Sequence, residues 1–170
     1  MNKSVSVAPM MDCTDRHERY FLRLISKNVL LYTEMVVSEA IDRGNKNKLL
    51  SFNLNEKPVA LQLGGSSAKL LANAARIGEE FGYDEINLNL GCPSKKVEKN
   101  RFGACLIKEP TLVTECLNEM QSKTQLPVTV KTRIGYNDVE DYESLFNFIN
   151  LLKSTGVKTF IIHARKAMLG

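Results

Sequence analysis

Apolar and polar positions alternate in blocks along the chain, and the blocks switch repeatedly between a period of two and a period near 3.6. Glu85-Ile86-Asn87-Leu88-Asn89-Leu90 has the strict alternation of a β-strand, and Gly91 and Pro93 stop it. Similar runs at Ser4–Pro9, Val29–Val36, Pro58–Leu63, Pro127–Gly135 and Thr159–Arg165 predict five further strands. Helical spacing lies between them. The segment from about Asp15 to Lys27 puts Tyr20, Phe21, Leu24 and Ile25 on one face, with Asp12 or Thr14 as its cap. Ser66 or Ser67 opens a helix that turns Leu70, Leu71, Ala74, Ala75 and Ile77 inward, and Gly82 follows it. Pro110 starts a helix with Leu112, Val113, Cys116, Leu117 and Met120 as its buried stripe. The last, from about Val139 to Ser154, carries Leu145, Phe148, Ile149 and Leu152. A polar stretch from Asp42 to Asn55 reads as a short helical piece and a solvated loop.

Strand–helix alternation implies a parallel sheet in an α/β protein. An open doubly wound sheet and a (β/α)8 TIM barrel both have that order. Polar residues fall late in most strands: Glu34, Gln62, Asn87 and Asn89, Lys131 and Arg133, His163 and Arg165. An open sheet concentrates ligand contacts at one switch point, whereas a barrel rings one site with all its strand ends. The distribution favours the barrel, and no GxGxxG fingerprint argues for the alternative. Only about the first six β/α units of such a barrel are present. Residues 1–170 are therefore expected to be one partial barrel, with the last two strands absent.

Composition alters this picture little. Of 170 residues, 44% are hydrophobic and 25% charged, as in an ordinary globular domain. The net charge of +4, from 23 basic against 19 acidic residues, permits a polyanionic partner without demanding one. No apolar run is long enough to span a bilayer, and the N-terminus lacks a signal-peptide core. Cys13, Cys92, Cys105 and Cys116 form no CxxC pair and read as reduced thiols of a cytoplasmic protein. The two histidines lie on different elements, so no metal-ligand set is expected.

Cys92 is the chemical candidate, because it sits in a loop at a strand's C-terminal end, beside Asn89. A thiol without an activating base is mostly protonated at neutral pH and can give a proton. Cys105 has small and apolar neighbours, and Cys116 lies on a core stripe; both read as structural. Lys131 reads either as the partner of Glu34 in an ion pair or as a cation for an anionic or electron-rich cofactor. Gln62 reads as a core hydrogen bond or as a contact to a planar heterocycle. His163, next to Arg165 at a strand end, suits phosphate binding.

Several segments together resemble the tRNA-dihydrouridine synthases, and most closely their A-type branch. They are Val7–Asp12 with Thr14–His17, Leu31–Val36, Val59–Gly65, Tyr83–Ser94, Phe102–Leu106, Val128–Gly135 and Phe160–Ala167. The resemblance implies an FMN-containing (β/α)8 barrel followed by a C-terminal helical domain that binds tRNA, the latter absent here. It implies reduction of the C5=C6 bond of uridine in the tRNA D-loop, at U20 or U20a, with NADPH as reductant, by a protein that is monomeric when full length. Carried over by motif, Pro9, Met10 and Met11 would line the flavin, and Gln62 and Lys131 would contact its isoalloxazine and ribityl region. His163 would lie toward the flavin phosphate. Asn89 would hold the uracil, and Cys92 would be the general acid. Two alternatives stay open: an FMN barrel that reduces a free pyrimidine, as dihydroorotate-type dehydrogenases do, and an inactive remnant that binds RNA or a partner.

Overall fold

The computed structural model describes residues 5–137 and 141–168. Its strands are β1 (Leu31–Tyr32), β2 (Val36–Val37), β3 (Val59–Gly64), β4 (Glu85–Leu90), β5 (Val128–Arg133) and β6 (Phe160–His163). The helices are α1 (Arg16–Ile25), α2 (Ser38–Arg43), α3 (Lys46–Leu50), α4 (Ala68–Glu80), α5 (Lys95–Lys99), α6 (Pro110–Lys123) and α7 (Tyr142–Lys153). Every strand pairing is parallel, and the order β1-β3-β4-β5-β6 follows the chain, with β2 also on β3. Doubly wound sheets reverse their order at a switch point. This sheet never does, so it is the curved wall of a partial (β/α)8 barrel.

The two faces of the wall differ in chemistry. Side chains alternate along each strand, so Leu61 and Leu63, Ile86, Leu88 and Leu90, and Val128 and Val130 point outward. With Leu71, Ala74, Ala75 and Ile77 of α4 and Val113, Leu117 and Met120 of α6 they form the main apolar core. Each fully buried leucine there contributes about 1.5–3 kcal/mol. The inward face carries Tyr32, Ala60, Gln62, Glu85, Asn87, Asn89 and Thr129, all buried and mostly polar. Register stacks these in rows, Tyr32–Ala60–Glu85 below Gln62–Asn87–Thr129.

Some expectations change. The first strand contributes a single bridge, Ser6 to Leu30, because only Val7 N–H and Val5 C=O reach the backbone of Leu30; Ser4 lies outside the described residues. The second predicted strand is two short ones, β1 and β2, interrupted at Thr33–Met35. The cap of α1 is Asp15, which accepts from His17 and Glu18 N–H, in place of Asp12 or Thr14. The last helix starts at Tyr142 behind an Asp141 cap, and Val139 lies outside the described residues.

The largest departure is α1. Its apolar stripe, Tyr20, Phe21, Leu24 and Ile25, faces solvent, while Arg19 and Arg23 are buried. Arg19 Nε pairs with Glu56 Oε2 at 2.7 Å and its Nη1 donates to Thr14 C=O. Arg23 donates to the carbonyls of Ser26, Val29, Glu56 and Pro58. The helix is thus fastened by charge-assisted hydrogen bonds to backbone.

Candidate active site

At the C-terminal ends of the strands the wall encloses a cleft of about 330 Å³. Pro9, Met10, Met11, Gln62, Asn89, Cys92, Lys131 and His163 all line it, so the residues singled out from the sequence converge on one place. Met35, Pro93 and Arg133 line it too. Met35 fits because a Cβ on Gly64 would come within 2.8 Å of its Sδ. The one sequence signal for Arg133 is its alternation with Lys131 on β5, which sends both to one face.

The loop after β4 is held from several sides. Asn89 Oδ1 accepts the N–H of Gly91 at 3.1 Å and of Cys92 at 3.0 Å. The Cys92 carbonyl accepts Ala104 N–H at 3.0 Å. Arg133 Nε donates to Gly91 C=O at 2.8 Å, and its Nη1 reaches Lys166 C=O. These bonds fix the backbone that carries the half-buried Cys92 thiol. The other thiols sit in different surroundings. Cys105 donates to Phe102 C=O, and burial, with Glu98 and Glu109 nearby, pushes its pKa up. Burial pushes Cys116 up to about 12. Cys13 is exposed.

The rim is cationic. Burial and the neighbouring Arg133 charge lower the Lys131 pKa. Local desolvation, then the charges of Arg133, Lys131 and Arg165, lower that of His163, which is exposed at the edge of the wall. The expected alternative for Lys131, an ion pair with Glu34, is not formed: Glu34 Oε1 accepts Asp12 N–H at 2.6 Å. The ion pairs found among the described residues lie elsewhere, at Arg19–Glu56, Lys57–Asp84, Arg76–Glu80 and Arg101–Glu109. Crowded cations beside an apolar wall of Pro9, Met10 and Met11 suit a ligand with a flat apolar body and an anionic group. Gln62 also bonds within the wall, accepting from Asn89 Nδ2 and donating one N–H to Asn87 Oδ1. Among the described residues no group of three or more His, Cys, Asp or Glu could hold a metal ion. No helix among them is long and apolar enough to cross a membrane.

The family described as "Dihydrouridine synthase (Dus)" matches residues 6–169. A protein of Synechocystis sp. named tRNA-dihydrouridine(20/20a) synthase is 54% identical over 165 residues, which is 97% of this chain and 49% of that protein. Its namesake in Shewanella oneidensis is 53% identical over 169 residues, covering 99% of this chain and 50% of that protein. The one in Escherichia coli K12 is 56% identical over 165 residues, covering 96% and 48%. The chain spans about half the length of the curated relatives it matches.

Proposed function

Because the chain belongs to the dihydrouridine synthase family, we propose that its cleft reduces the C5=C6 bond of uridine in the tRNA D-loop, at position 20 or 20a. The reaction is proposed for the protein at its relatives' full length, with FMN as bound cofactor, NADPH as reductant and the cytoplasm as setting. The observation that carries this reading is the meeting of Cys92, Asn89, Lys131 and His163 in one cleft at the strand ends.

The residues present fit a flavin. Pro9, Met10 and Met11 offer an apolar face, Lys131 a cation for an electron-rich ring system, and His163 a donor for a phosphate. When bound, FMN recharged by NADPH supplies hydride to C6 of the pyrimidine. The chain's own work is to hold the base and to complete the addition. Asn89 donates a hydrogen bond to the uracil. The Cys92 Sγ–H gives its proton to C5, leaving a thiolate that water reprotonates; positioned acids of this kind accelerate such steps by about 10²–10⁴-fold. The target base must leave the tRNA stack to reach the cleft.

At the relatives' full length, protein mixed with FMN and freed of excess by gel filtration should keep a bound-flavin spectrum, and colourless protein there refutes the flavin assignment; a 170-residue chain that alone stays colourless supports the inactive remnant. In the protein at full length, Cys92→Ala should keep flavin and its reduction by NADPH yet lose dihydrouridine formation on tRNA. Normal dihydrouridine yield would remove Cys92 from the mechanism. Reduction of free uracil or orotate, but not tRNA, would move the activity to the free-pyrimidine class.

A further inference from the structure

Beneath the cleft runs an unbroken buried chain of side-chain hydrogen bonds. Tyr32 Oη donates to Glu85 Oε1 at 2.8 Å, and Thr129 Oγ1 donates to the same oxygen at 2.6 Å. Asn87 Nδ2 donates to Thr129 Oγ1 at 2.8 Å. Gln62 Nε2 donates to Asn87 Oδ1 at 2.7 Å, and Asn89 Nδ2 to Gln62 Oε1 at 2.8 Å. Asn89 Oδ1 then accepts from Gly91 and Cys92 N–H. The members come from β1, β3, β4 and β5, and none is more than 9% exposed.

Both ends dictate the same direction. At the bottom, a carboxylate can only accept, and Glu85 receives two hydroxyls. Burial and the Glu85 charge push the Tyr32 phenol up, so that proton stays on Tyr32. At the top, backbone N–H groups can only donate, so Asn89 must turn its oxygen toward them. Its nitrogen must then meet the oxygen of Gln62, whose nitrogen must meet the oxygen of Asn87. Any single flip would set oxygen against oxygen in a buried site, which is costly.

We propose that Glu85, Thr129 and Asn87 are positioning residues: through Gln62 they lock the Asn89 carboxamide, commit its oxygen to the Cys92 loop and leave only N–H for a ligand. A cleft so polarised takes a heterocycle with a carbonyl oxygen facing Asn89 and disfavours one with an amino group there. For the proposed substrate this means uracil over cytosine, a consequence that rests on the reading above. The same lock keeps the Cys92 backbone in register with the bound base.

The direction is measured on the ligand-free chain, labelled with 15N and 13C, by NMR couplings across hydrogen bonds. Couplings from Asn89 Nδ2 to the Gln62 side-chain carbonyl, and from Gln62 Nε2 to that of Asn87, are expected. The reverse pattern, or carboxamide protons exchanging as fast as those of exposed Asn55, overturns the proposal. Thr129→Val removes one acceptor and one donor from the chain; side-chain amide exchange at Asn89 and Gln62, and alkylation of Cys92, should speed up about 10-fold. Thr129→Ser should restore both. Val130→Ala, on the outer face of the same strand, should leave the Asn89 coupling in place. A folded Thr129→Val protein with unchanged exchange and alkylation overturns the proposal; if that variant fails to fold, the wild-type couplings decide alone. None of these readouts uses flavin or tRNA, so failure of the relay leaves the uridine reading standing, and failure of that reading leaves the relay.

Discussion

Replacing Gly103 by alanine tests how tightly the Cys92 loop is clamped, and Gly82 supplies the control. Both glycines hold a left-handed backbone, with φ +75° at Gly103 and +88° at Gly82. An L-residue there costs about 1–2 kcal/mol in either place. Their surroundings differ. A Cβ on Gly82 would meet nothing within 4 Å. On Gly103 it would come within 2.5 Å of Val97 Cγ1 and 2.8 Å of the Cys92 carbonyl oxygen. Val97 can shift its side chain, but the Cys92 oxygen is backbone and already accepts Ala104 N–H. Forcing a methyl into such packing adds about 1–3 kcal/mol. Gly82→Ala should therefore lose about 1–2 kcal/mol and Gly103→Ala about 2–5 kcal/mol. Urea unfolding followed by circular dichroism gives both values, provided the slope of free energy against denaturant is the same in each variant. Alkylation of Cys92 gives the local readout: it should change in Gly103→Ala and stay at the wild-type rate in Gly82→Ala. Equal losses of stability, or an unmoved Cys92 rate in Gly103→Ala, would refute the clamp.

Arg19→Met should cost about 3–5 kcal/mol in urea unfolding, because it strands the buried Glu56 carboxylate. Adding Glu56→Gln should recover most of that loss; a double variant as unstable as the single would show that the pair is not what holds α1. The His163 pKa is depressed by local desolvation and then by the charges of Arg133, Lys131 and Arg165, so its neutral form contributes stability above its ordinary pKa. That contribution is lost as pH falls through the lowered value. NMR titration should find the free imidazole below about 6.5 and find it raised when FMN is added; no rise with FMN would remove His163 from anion binding.

How much of this was legible in the sequence depends on the range of the interaction concerned. The alternation of β4 is local, so Asn87 and Asn89 could be assigned to the inner face from six consecutive residues. Strand ends that ring one site then follow from barrel geometry, which is why Cys92, Lys131 and His163 could be grouped although they lie on different elements. The face of α1 could not be read in the same way. Periodicity says that a helix has two faces, but not which one packs. Here arginine wins the buried side because four carbonyls and a carboxylate, supplied by residues 26–58, converge on it.

The relay was hidden for a related reason. Glu85 looks like the polar first residue of a strand, and Thr129 like an ordinary β-former. Each acquires its meaning from partners 42 to 53 positions away, set by the register of four strands. The apolar half of this fold is written in patterns that many sequences share. Its polar half is written in pairings that exist only once the wall is built. An acceptor-only carboxylate at one end and donor-only amides at the other leave every carboxamide between them a single low-energy orientation. Specificity in this cleft is therefore set at its floor as well as among the residues that touch the ligand.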